Sequence, residues 1–202
     1  MTYARIACLT LCLAASIAIA QAPPATIQRI RGDVISVDGT SLKVRSRTGE
    51  TVDVKLADNY TVNAVAKVGV DRVTQGAFVG IASLPQPDGT QKALEVLVLP
   101  ESRRGSGEGH YPWDLQPGSM MTNATVAQVE RVEQSQRLLL KYKDGEKTVL
   151  VPAGTPIVTF EPGDRAMLVP GAHVMFGATR QPDGTYTAGG INVGKDGLVP
   201  PM

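Results

Sequence analysis

Apolar and polar positions alternate in short runs along this chain. In "DVISV" (33–37) and "TVAQV" (125–129) the apolar residues recur with the spacing of a half-buried strand. "SLKVRSR" (41–47) sets Leu42 and Val44 on one face and Lys43 and Arg45 on the other. "TVDVKL" (51–56) repeats the pattern with Val52, Val54 and Leu56. Turn residues separate the runs. Asp38-Gly39 and Asp144-Gly145 suit tight hairpins, and "PDGT" (87–90 and 182–185) suits a slightly longer one, with Gly taking the left-handed position. No window of 11 residues carries a helical stripe. "VDRVTQG" (70–76) and "GDRAMLVPG" (163–171) allow one helical turn each.

The pattern is written twice. "GAFVGIASLPQPDGTQKALEVLV" (76–98) and "GAHVMFGATRQPDGTYTAGGINV" (171–193) align without a gap, 95 residues apart. Upstream, Asp71-Arg72 aligns with Asp164-Arg165, and Val34 and Val37 align with Val126 and Val129. Each copy therefore reads as five or six short strands. An open sheet of that kind exposes its edges and one apolar face; closure into a small barrel removes both. The expected fold is all-β: two tandem OB-like β-barrels related by internal duplication, packed intimately and joined by an ordered linker. The expected boundaries are a first barrel at 26–100, a linker at 101–123 and a second barrel at 124–198.

The N-terminus adds a compartment. Residues 1–22 read as a secretory signal peptide: Arg5, an apolar run from Ile6 to Ala20, then small residues at an A-x-A cleavage site. The run is short for a membrane span. A periplasmic or secreted protein is expected, with no stable membrane insertion after cleavage. Cys8 and Cys12 both fall in this segment, so the mature chain has neither a disulfide nor a thiol nucleophile, and packing must hold it together. Without Arg5, 19 basic residues balance 19 acidic ones. That balance, with few aromatics, argues against a nucleic-acid partner.

The arrangement "GDVISVDGTSLKVRSRTGETVDVKL…GAFVGIAS…PDGTQKALEVLV" resembles the domain-of-unknown-function 5666 family of secreted bacterial proteins. The resemblance spans nearly the whole mature chain and implies small β-barrel domains, often in tandem. It implies no catalytic residue.

Candidate chemistry gathers in the linker, at "GHYPWD" (109–114), which holds one of two histidines and the one tryptophan. A flexible spacer has no use for Tyr111, Trp113 and Leu115. Burying a Trp removes roughly 150–250 Å² from water, so Trp113 is expected to anchor the groove between the barrels, with His110 and Asp114 hydrogen-bonded to orient the loop. Alternatively His110, Tyr111, Trp113 and Asp114 form a ligand site, since an aromatic loop between two barrels is a usual place for a cleft. A structural role predicts a buried, fully bonded loop without a polar cleft; a binding role predicts an exposed aromatic beside a concave surface. The histidines with Met120, Met121, Met167 and Met175 suit Cu(I) better than Zn(II), but the sequence has no clustered ligand motif. His173 stands where the first copy has Phe78. No catalytic residue, metal site or cofactor is expected: there is no nucleophile elbow, and the acidic residues lie scattered at turns. The reading is a non-enzymatic binding or structural module of the cell envelope, its partner an unidentified envelope protein or small ligand. The alternative is a small-ligand or metal-binding accessory protein, of copper or metal-transport type, that uses the His110/Trp113/Asp114 loop.

Overall fold

A computed structural model describes residues 26–202. The expected signal peptide and both cysteines lie outside the described residues. Twelve strands run in order as β1 (Ile27–Asp38), β2 (Ser41–Ser46), β3 (Thr51–Lys67), β4 (Phe78–Pro85), β5 (Gln91–Val98), β6 (Gly109–Pro112), β7 (Met120–Val132), β8 (Ser135–Tyr142), β9 (Gly145–Val151), β10 (Ile157–Pro162), β11 (His173–Arg180) and β12 (Tyr186–Gly194). The two expected helical turns are short 3-10 turns, Val70–Arg72 and Arg165–Met167. These place Val70 opposite Arg165, so the spacing of 95 extends through them, rather than the spacing of 93 that aligns the two Asp-Arg pairs. Among the described residues no helix is long and apolar enough to cross a membrane.

The strands close into two five-stranded barrels. One runs β1-β2-β3-β12-β11 and back to β1; the other runs β7-β8-β9-β5-β4 and back to β7. In each, one parallel pair completes an otherwise antiparallel ring: β3 with β12, and β9 with β5. That is the strand order of an OB-type barrel. Inside the first barrel lie Leu42, Val44, Leu56, Phe176 and Ile191; inside the second, Val79, Ile81, Val96, Leu138 and Leu140.

The chain is shared between the barrels differently from the expected tandem. Each barrel takes three strands from one half of the sequence and its closing pair from the other. The stretches 26–100 and 124–198 are thus lengths of sequence, and neither is a barrel. The exchange is reciprocal. Val34 N–H donates to Ala172 O and Gly171 N–H to Val34 O; Val126 N–H donates to Ala77 O and Gly76 N–H to Val126 O. Tyr186 pairs with Val54 as Gln91 pairs with Val149.

The length of β3 explains the crossing. Its 17 residues extend about 55 Å at 3.3 Å per residue, more than a small barrel needs. Burial alternates at Val54, Leu56, Tyr60 and Val62, then becomes continuous at Ala64, Val65 and Ala66. There β3, still paired with β12 as far as Val65, also runs antiparallel to β10 and so bridges the two barrels. The chain reaches β4 already on the second barrel. All twelve strands therefore belong to one hydrogen-bonded sheet. A third apolar cluster fills the seam: Val65, Val158, Met175 and Met202, with Leu97, Trp113, Phe160 and Leu198 partly buried against it.

The turns follow the sequence closely. Asp88 Oδ1 accepts from Thr90 N and Oγ1 at 3.0 and 2.7 Å, and Asp183 repeats this with Thr185 at 2.9 and 2.6 Å. Gly39 is left-handed at φ 55°, but Asp144-Gly145 is not a left-handed turn. The residue that takes the left-handed position of Gly39 in the second half is Glu133, between β7 and β8 at φ 54°.

Candidate functional site

The segment expected as linker is largely structured. Glu101–Arg103 forms a 3-10 turn, β6 pairs with the start of β7, and β7 begins at Met120 rather than after 123. Gly109 faces Asn123 and Pro112 faces Met120 along this ladder, so the GHYP stretch caps a strand edge.

The four candidate residues divide between two places. His110 and Tyr111 serve the ladder. His110 Nδ1 lies 2.8 Å from Thr122 Oγ1, and its ring stacks on Tyr142 at 6.5 Å. Burial, then the charge of Lys147, holds the imidazole below its usual range. Tyr111 Oη accepts from Asn123 Nδ2 at 2.8 Å, and burial raises its pKa. Trp113 and Asp114 reach the other barrel. The indole packs into the seam cluster, with the Arg29 guanidinium 3.7 Å above its ring. Its main chain is fixed by Ser119: Trp113 N–H donates to Ser119 O at 2.8 Å, and Ser119 Oγ donates to Trp113 O at 2.9 Å. Asp114 accepts from Arg31 Nη2 at 2.7 Å and lies 3.6 Å from Arg29 Nη1. Its own desolvation opposes ionisation, but the Arg31 hydrogen bond and the two positive charges outweigh it and keep the carboxyl below its usual pKa.

The loop is half-buried and incompletely bonded. Among the described residues Trp113 Nε1 is buried without a hydrogen-bond partner. Beside Asp114 opens a polar groove of about 320 Å³, bordered by β1, the β2–β3 turn and the linker; Arg29, Arg31, Ser46, Arg47 and Tyr186 line it. Two of these arginines also hold the tail: Arg31 Nε donates to the main-chain oxygen of Met202, and Arg47 Nη2 to Pro200 O at 2.9 Å. Trp113 is thus partly buried against the seam, and Asp114 borders the groove.

The metal ligands considered from sequence are dispersed. His110 belongs to β6, while His173 sits on β11 with its Nδ1 2.6 Å from Asp33 Oδ1. Met167 packs on the core of the first barrel and Met175 in the seam. Among the described residues no three His, Cys, Asp or Glu side chains gather.

Sequence reasoning missed Arg29, Arg31, Arg47 and Glu95. The arginines had a weak signal: in "QRIR" the buried Ile30 forces Arg29 and Arg31 onto the opposite face. Glu95 is fully buried, and among the described residues neither carboxylate oxygen has a partner. A register shift between Ala82 and Ser83 accompanies the change that leaves Glu95 opposite Ala82. Ala82 pairs in turn with Met121, and Met121 with Tyr111. Paired residues share a face, so Glu95 lies on the face that β6 extends, outside the core of its own barrel. Burial pushes its pKa up to about 8 against the opposing charges of Arg31 and Arg47. A lone acid inside the apolar run "ALEVLV" was its only trace in the sequence.

No family model matches the chain, and no curated protein or solved structure gives a significant match.

Proposed function

We propose that this is a non-enzymatic binding module of the bacterial cell envelope, exported by the segment 1–22 to the periplasm or beyond, and that it holds its ligand in the groove beside Asp114. The resemblance to the domain-of-unknown-function 5666 family and the sequence duplication belong to this reading. One observation carries it: the linker delivers Asp114 to Arg29 and Arg31 of β1, at the edge of a polar groove. A segment serving only to join two barrels needs no such groove. Trp113 supplies the rigidity, locking the linker that forms one wall. Pre-formed walls lower the ordering cost of binding.

The test is a thermal-shift panel on residues 23–202, with neutral sugars, sugar acids, phosphorylated sugars and short peptides. The reading expects at least one class to raise the unfolding midpoint, and the rise to vanish in Arg29→Ala. A panel in which no compound raises the midpoint would overturn it.

A further inference from the structure

We propose that the groove is an oxyanion site, in which Arg47 and Arg29 receive the phosphate or carboxylate of a small anion; this rests on the binding-module reading above.

Three guanidinium groups converge there, each with five N–H donors. Their hydrogen bonds use few of these. Arg31 serves Met202 and Asp114, and Arg47 serves Pro200 O. Besides stacking on Trp113, Arg29 makes only the 3.6 Å polar contact with Asp114 among the described residues. Among the described residues no carboxylate lies within ion-pair distance of Arg47. Burial, and then the charge of Arg31, lowers its pKa. Two like charges held close together are relieved by an arriving anion.

Nearby acids meet this demand only in part: the charges of Glu95 and Asp33 reach Arg47, without an ion pair. Glu95 is the buried carboxyl whose field reaches both Arg31 and Arg47, yet it bonds to neither and is mostly protonated at neutral pH. Asp114 and Glu50 border the groove, leaving three guanidinium charges against two carboxylates. Asp114 already demonstrates the preferred acceptor, since Arg31 takes its carboxylate at 2.7 Å. The Ser46 hydroxyl adds a polar contact, and Leu115 and Tyr186 offer apolar wall for the body of the ligand. At about 320 Å³ the groove lies at the small end of the range for ligand sites, which favours a single small molecule.

The experiment is calorimetric titration of residues 23–202 with glucose 6-phosphate, glucuronate, inorganic phosphate and glucose. The anions are expected to bind at one site and glucose not to bind. Binding should weaken about tenfold or more in Arg47→Gln, and it should weaken in 0.5 M NaCl on the order expected from screening. Asp114→Asn, which removes the resident competitor, should bind the anions more tightly. Equal affinity for inorganic phosphate assigns the site to the free ion, and tighter glucose 6-phosphate to the carried group; either supports the proposal. Glucose binding as well as the anions, with Arg47→Gln unchanged, overturns the oxyanion assignment and leaves the binding module standing. No binding by any probe overturns the assignment, and a blank thermal-shift panel besides overturns the module.

Discussion

Val65 of β3 pairs directly with Phe160 of β10, its own counterpart 95 residues along the sequence. A pair made of equivalent positions lies on an approximate two-fold axis. The pairs around it obey the same symmetry: Ala64 faces Glu161, and Ala66 faces Thr159. The seam between the barrels is therefore itself a stretch of the common sheet, and the barrels cannot separate without breaking that ladder and the strand exchange together. This suits a chain whose mature part is expected to have no disulfide, because small barrels bury a modest fraction of their surface alone.

Trp113 tests the seam from the linker side. Replacing it with Ala removes a partly buried indole from the cluster with Val65, Val158 and Met202 and strips the Arg29 guanidinium of its aromatic platform. The expected loss is about 2 kcal/mol, below the range for fully buried Trp, seen as a fall of roughly 5 °C in the unfolding midpoint. An unchanged midpoint would place the indole outside the stabilising core.

Glu95 should give the protein a pH signature. The folded state holds the proton up to about pH 8, whereas the ordinary carboxyl releases it near 4.5. Between those values the folded state binds more protons than the unfolded one, so stability falls as pH rises, and the contribution is constant above the upper value. Glu95→Gln removes this slope. Its stability relative to wild type should grow, from pH 4 to pH 8, by on the order of 4 kcal/mol. Denaturant titrations at the two pH values measure it; parallel curves would show that the carboxyl is not sealed in.

Much of the fold was legible because turn chemistry and alternation are local. The two PDGT hairpins carry their own hydrogen bonds from Asp88 and Asp183, and the inward faces of β2 and β3 read directly from Leu42, Val44, Val54 and Leu56. The exchange was not legible. Equivalent strands have interchangeable partners, so periodicity cannot say whether β1 meets β4 or β11. Of the site, Trp113 and Asp114 stood out by residue type. Their partners Arg29 and Arg31 are 83 to 85 residues away along the chain, and surface arginines on a strand carry no mark of what they will meet. His110 and Tyr111 were read as part of one constellation, but strand pairing with β7 turned them to Thr122 and Asn123.

Glu133 provides a test of strain. Its φ of 54° matches the 55° of Gly39, the hairpin residue of the first half. The left-handed conformation costs a non-glycine residue about 1–2 kcal/mol, partly offset in a glycine by about 0.5–1 kcal/mol of lost backbone freedom. Glu133→Gly should therefore stabilise by roughly 0.5–1 kcal/mol, and Gly39→Ala should destabilise. Equilibrium unfolding of both variants decides the matter; a destabilised Glu133→Gly would mean that the side chain contributes more than the turn costs.

The strand exchange itself is open to a direct measurement in the intact chain. Asp33 of β1 pairs with His173 of β11, whereas Phe78, the counterpart of His173, pairs with Thr125 on the other barrel. Paired strands hold Cα atoms about 4.5–5.5 Å apart, within disulfide reach. In residues 23–202, the double variant Asp33→Cys with His173→Cys should oxidise to an intramolecular bond, read by mass and by gel mobility, and Asp33→Cys with Phe78→Cys should not. A bond from position 33 to position 78, with none to 173, would mean that each half closes its own barrel and would contradict the account.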